Sequence, residues 1–167
     1  PSVFPPLPPD VAALSYANTF KWTNSTGEDR YRRGMYTFFK RTSPYPNLVA
    51  FDCPDGVTTA AARTPSNTPL QALATMNNEV FVETAQALAA RVLTDADVSA
   101  SDAARVDQAF QVALSRKPAS SEQDQMVSLV ESARDYYRQH PEDAGKLSSL
   151  HRPKTVPAEE TAAWIIA

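Results

Sequence analysis

The sequence predicts a mainly α protein: an irregular bundle of about five to seven helices, with a proline-rich N-terminal arm and a long loop between its first two motif helices. Three observations carry this. Apolar residues recur at three- and four-residue spacing in several windows, the mark of amphipathic helices. The 14 prolines against 4 glycines stand at segment starts and in loops, giving stiff connections. Nowhere do four to eight residues alternate as an exposed strand. A chain of 167 residues fits one domain and can bury roughly two thirds of its unfolded surface. It reads as a single helical domain, with an extended arm over 1–29, a motif region over 30–93, and a helical hairpin with C-terminal helices over 101–167.

Residues 1–10, PSVFPPLPPD, hold five prolines and predict an extended arm anchored by Val3, Phe4 and Leu7. Residues 11–29 have no clear period, and Asn24-Ser25-Thr26 is a glycosylation sequon in form. From Glu28 the pattern turns helical, with Tyr31, Met35, Phe38 and Phe39 on one face, and that helix must end by Ser43 because Pro44 and Pro46 follow. A loop over 44–63 comes next, with a short extended piece at Leu48 to Phe51. Thr68-Pro69-Leu70-Gln71 is a strong helix start: Thr68 as N-cap, Pro69 in the first turn, Gln71 closing a capping box. That helix runs to about Met76. Asn77 and Asn78 offer a kink or a second cap before a helix carrying Phe81, Ala85, Leu88 and Val92.

An antiparallel hairpin follows. Its first helix carries Val106, Phe110, Ala113 and Leu114. Its second starts at Ser120 or Ser121 and carries Met126, Leu129, Val130, Ala133 and Tyr137. A short helix from Pro141 to about Leu150, a basic loop and a final helix ending in Trp164, Ile165 and Ile166 complete the chain. A terminus rarely exposes three such side chains together, so the chain reads as a piece of a longer polypeptide.

Composition narrows the function. Net charge is -3, with 7 basic and 5 acidic groups in residues 1–63 and 9 basic and 14 acidic in 64–167. Neither part is polarised enough to imply nucleic acid or membrane binding. The single Cys53 excludes an internal disulfide and any multi-cysteine metal site, and no run of about 18 apolar residues exists to span a bilayer. Catalytic and cofactor motifs are lacking.

Three groups invite chemistry. Arg30, Arg32, Arg33, Lys40 and Arg41 interleave with Tyr31, Tyr36, Phe38 and Phe39, a composition that suits phosphate contact and base stacking. The helical spacing of the rings favours a core stripe instead, with the arginines pairing to Asp52, Asp55 or Glu83, and nucleic acid is the weaker reading. Recognition of an anionic sugar by planar guanidinium groups lies between. Asp52 and Asp55 in FDCPDG suit acid-base or calcium chemistry, but also a β-turn, which is preferred. Cys53 reads as a small loop-core residue, His140 as a cation at a helix end, and His151 as a disfavoured metal ligand. Asn67, Thr68, Gln71 and Asn77 read as partners of backbone groups at helix ends.

The stretches RYRRGMYTFFKRTSPYP, FDCPDG and RTPSNTPLQALATMNNEVFVETAQALAARVL together resemble the planctomycete-associated domain of unknown function 1553. PSVFPPLP, ALSRKPASSEQ and ETAAWIIA extend the resemblance over nearly the whole chain. The family pattern falls on Arg32, Arg33 and Tyr36, on Lys40, Arg41 and Thr42, on Phe51 and Asp52, and on Asn67, Thr68, Pro69, Leu70 and Gln71. No catalytic role attaches to these positions. Cys53 stands where the family has a small residue such as Ala, and residues 59–62 replace a more polar run. The resemblance implies an exported, periplasmic or cell-envelope setting, with no cofactor in this chain and haem c on an upstream domain. The expected role is a non-catalytic structural or docking module whose partners are other domains of the same polypeptide. The alternative is part of an enzyme acting on polysaccharide or on acidic or sulfated sugars, with Arg33, Arg41, Asp52 and Gln71 lining a pocket.

Overall fold

In the computed structural model, residues 1–13, 21–41, 43–62, 65–95 and 101–167 are described. Among them the chain is mainly helical, without β-strands. The α-helices are α1 (Pro9–Ala12), α2 (Pro46–Ala50), α3 (Pro69–Asn77), α4 (Glu79–Asp95), α5 (Asp102–Leu114), α6 (Ser120–Gln139), α7 (Pro141–Leu147) and α8 (Ala158–Ile166). Two 3₁₀ turns, Gly27–Tyr31 and Gly34–Tyr36, stand between α1 and α2. The chain divides into two compact units, Pro1–Phe81 and Val82–Ala167, the boundary falling in the first turn of α4.

In the first unit the arm is extended up to Pro8, where φ −53° and ψ 141° are polyproline II values, and Pro9 then starts α1. Val3 is buried and forms an isolated parallel bridge to Thr37. The helix expected from Glu28 to Ser43 is absent and is replaced by the two 3₁₀ turns. Arg32, Arg33 and Thr37 all have ψ between 132° and 150°, extended values that interrupt any helix. Two causes act together. Gly34 in mid-segment costs a helix about 1 kcal/mol relative to Ala. In addition, Tyr36 and Phe38 give their main-chain groups to Val3: its N–H donates to Tyr36 O (2.8 Å) and its carbonyl accepts from Phe38 N–H (2.8 Å). The expected apolar face therefore does not form, and Tyr31 and Met35 are exposed.

The extended piece expected at Leu48 to Phe51 is likewise corrected, because it lies largely in α2. Pro46 occupies the first turn of that helix, where its missing N–H costs nothing, so it starts a helix where the sequence reading took it as a stop. Around α3 the expectation holds closely. Thr68 Oγ1 accepts from Gln71 N–H (3.3 Å) and Gln71 Oε1 accepts from Thr68 N–H (3.1 Å), the reciprocal capping box. Asn78 then breaks the helix at ψ 133° and its side chain accepts from Val80 N–H (3.0 Å), starting α4.

The second unit is the better-packed bundle. Ala89, Val92 and Leu93 of α4 meet Val106 of α5, Val130 of α6, and Trp164 and Ile165 of α8 in one apolar core. The terminal trio is thus not exposed as a set: Trp164 and Ile165 are buried, and only Ile166 faces out. Tyr137, Ala144 and Ala162 form a smaller cluster between α6, α7 and α8. The hairpin faces are as expected at Val106, Val130, Ala133 and Tyr137. Ala113 and Leu114 are exposed instead, at the C-terminal end of α5, and Leu129 faces outward beside the buried Val130. Arg134 on α6 holds Glu160 of α8 through two bonds (2.6 and 2.8 Å) and Asp102 of α5 at 3.0 Å, while Trp164 Nε1 donates to Glu160 (3.0 Å). His140 donates from Nδ1 to Tyr136 O (2.8 Å) at the end of α6, as its position suggests.

Candidate functional site

Three motif residues of the first unit, Asp52, Thr68 and Gln71, converge on one turn. The Ser66 N–H donates to Asp52 Oδ2 (2.8 Å), and Ser66 Oγ lies 2.9 and 2.7 Å from the two carboxylate oxygens. Gln71 Nε2 donates to both Asp52 Oδ2 (3.3 Å) and Ser66 Oγ (3.0 Å). Because Gln71 also closes the capping box with Thr68, the four residues make one continuous hydrogen-bonded knot. It ties the end of the Asp52 loop to the start of α3. Gln71 is the buried residue of α3, and Asp52 sits at φ +58°, in the left-handed region that short polar side chains tolerate better than most.

Two of the motif region's arginines have carboxylate partners. Arg32 bonds Asp29 (2.6 Å) and lies over the Tyr36 ring at 5.8 Å, and Arg30 bonds Glu79 (2.7 Å). Arg33, Arg41 and Asn67 are exposed. A cleft of about 220 Å³ opens beside the knot, lined by Phe51, Asp52, Pro65, Ser66 and Gln71. Arg33 and Arg41 are not among those residues. Thr42, with Arg63 and Thr64 of the same motifs, lies outside the described residues. The structure thus brings together Asp52, Thr68 and Gln71, and separately Arg32 and Tyr36.

Asp55 caps the expected turn: its Oδ1 accepts from Val57 N–H (2.9 Å) and Thr58 N–H (3.3 Å), which lowers its pKa from the usual carboxylate value. Gly56 follows at φ +69°, and a Cβ there would meet the Phe39 ring at 2.8 Å, so only glycine fits. Cys53 is a free, half-buried thiol in the same loop. Asn77 Nδ2 donates to Leu73 O (2.9 Å), the backbone role expected of it. His151 lies 3.8 Å from Glu83 in the second unit. Among the described residues no group of three or more His, Cys, Asp or Glu side chains is placed to hold a metal ion, and no helix is long and apolar enough to cross a membrane.

Ser66 is the participant that sequence reasoning missed. Its signal was its place just before the Thr68 cap, where a hydroxyl can bond to main chain and side chain alike. Trp22 and Tyr45 were missed as well. Trp22 Nε1 donates to Pro5 O (3.0 Å), Tyr45 OH donates to Pro6 O (3.1 Å), and the two rings are parallel, with centroids 5.8 Å apart.

A family model described as PSD1, protein of unknown function (DUF1553), matches residues 1–130. No curated protein and no solved structure matches the chain.

Proposed function

Given that the chain belongs to the PSD1 family of unknown function (DUF1553), we propose that it is a non-catalytic structural or docking module of an exported, multidomain, c-type-haem-associated protein. One observation supports the non-catalytic part: the polar groups of Asp52, Ser66, Thr68 and Gln71 bond to one another and to the main chain. A general acid or base needs a lone pair or proton directed at a substrate. Here Ser66 and Gln71 converge on the Asp52 carboxylate, and Gln71 is buried. The exported setting and the haem partner come from the family resemblance of the motif stretches and are part of the proposal.

A second reading rests on the cleft beside Phe51, Asp52 and Gln71: a saccharide unit stacked on an aromatic ring and bonded to a carboxylate and an amide. One experiment separates the two. The chain is incubated with neutral, acidic and sulfated polysaccharides, following binding by calorimetry and cleavage by release of reducing ends. The scaffold reading expects neither, together with loss of stability in Gln71→Ala. Saccharide binding or cleavage that Asp52→Asn abolishes would replace it with the second reading.

A further inference from the structure

The hydrogen bonds along the N-terminal arm follow the chemistry of each residue in turn. Where the arm has an N–H, the body supplies an acceptor: Tyr36 O for Val3 (2.8 Å), Ser25 Oγ for Phe4 (2.9 Å) and Asn24 Oδ1 for Leu7 (3.3 Å). Where the arm has proline and hence a carbonyl alone, the body supplies side-chain donors: Trp22 Nε1 to Pro5 O and Tyr45 OH to Pro6 O. Pro5 and Pro6 are buried. Phe4 packs edge-on against Trp22, centroids 5.2 Å apart at 87°, and Trp22 in turn stacks on Tyr45.

We propose that Trp22, Asn24, Ser25, Tyr36 and Tyr45 form a recognition groove for an extended proline-rich peptide, with residues 3–8 of the same chain as its resident ligand. The groove matches main-chain donors and acceptors over five successive residues, Val3 to Leu7, and meets the two proline carbonyls among them with side-chain donors. Parallel aromatic rings carrying outward donors are the means by which proline-rich helices are read, since the polyproline II backbone is already extended and its carbonyls are unpaired. The pattern also selects against other residues: anything but proline at position 5 or 6 adds a main-chain N–H at a buried residue, and that N–H must find an acceptor that proline does not need. The groove accepts a Phe-Pro-Pro segment from another chain once its own arm leaves. While tethered, the arm holds the site at an effective concentration on the order of millimolar and excludes free peptide. This inference stands apart from the scaffold reading, which rests on Asp52, Ser66, Thr68 and Gln71.

To test it, a protease site is inserted after Ala13 in the full chain, which is folded and then cleaved. Fragment 1–13 is expected to co-elute with the body on gel filtration and to exchange with a fluorescein-labelled synthetic copy. A copy with Pro5→Ala and Pro6→Ala should bind about tenfold more weakly, and Trp22→Phe or Tyr45→Phe in the body should each weaken binding severalfold. Separation of the fragment on dilution, or equal binding of the alanine copy, would overturn the proposal. The uncleaved chain gives a second reading. Pro5→Ala with Pro6→Ala should open the arm to limited proteolysis, while Pro8→Ala, at an exposed position, should not; equal protection in both would also overturn it.

Discussion

Asp52 combines a backbone state that most side chains avoid with a carboxylate that closes the 65–71 turn. Replacing it by Ala removes the acceptor for Ser66 and Gln71 and keeps the strained φ, so Asp52→Ala should destabilise the first unit by about 2 kcal/mol, whereas Asp52→Asn, which tolerates that φ and retains an acceptor, should cost about half as much. Urea unfolding followed by Trp22 fluorescence reads the difference. Equal losses in both variants would deny the backbone part of the argument. Tyr45 gives a pH-dependent counterpart. Burial, with Glu79 adding and Arg30 opposing, pushes its phenol up to about 12 from the ordinary 10.0. A raised folded-state pKa means the contribution is complete below pH 10 and is lost as pH rises toward 12. Stability of the first unit should fall in that window, and Tyr45→Phe should remove that part of the fall while costing the bond to Pro6. At this scale the sequence was legible where partners are close. Thr68 and Gln71 are three residues apart, so a capping box can be read directly. Asp52 and Ser66 are separated by fourteen, with no period to join them.

Among the elements, the missing first helix has a cause outside its own segment. The sequence between Arg30 and Arg41 has a helical period, but Gly34 weakens the helix and the arm offers its main chain an alternative partner at Val3. A period describes what a segment prefers alone; a partner some 30 residues away decided what it became. Helix α3 buries Gln71 while Leu70, Leu73 and Met76, at successive three-residue steps, are exposed. In the second unit the reading was more successful, because α5 and α6 pack largely by the stripes their sequences show, whereas α8 is buried over five successive residues, Thr161 to Ile165. What no stripe revealed is the link from Arg134 to Asp102 and Glu160 across three helices. These side chains are mostly buried, so Arg134→Ala leaves two carboxylates without their shared cation and should cost about 2–3 kcal/mol. Arg134 holds the Glu160 pKa below the usual glutamate value, with the Trp164 indole N–H adding to the effect. A lowered folded-state pKa gives stability that is present above the ordinary value of 4.5 and lost as pH falls through the folded one. Acid titration of the second unit should show this loss in the parent chain, and Arg134→Ala should flatten it.

For the molecule as a whole, the two tryptophans provide one reporter per unit: Trp22 in Pro1–Phe81 and Trp164 in Val82–Ala167. With Trp164→Phe and Trp22→Phe made in turn, Asp52→Ala should move the Trp22 transition more than the Trp164 transition, and Arg134→Ala should do the reverse. Identical shifts in both reporters would show the chain unfolding as a single cooperative body. Helical class and the order of its main segments could be read from the sequence; two compact units, divided within one continuous helix, could not, because α4 has an unbroken period across the boundary. The Asp52–Ser66 clamp has a practical consequence for engineering. It fixes the two ends of the 53–65 segment at hydrogen-bond distance, so the fold depends on where that segment leaves and returns rather than on its length. Lengthening such a closed loop raises its closure cost only logarithmically, about 0.6 kcal/mol per doubling. An epitope grafted between Thr59 and Ala60, both exposed and beyond the Asp55 turn, would be displayed on a surface that the rest of the chain already holds in place.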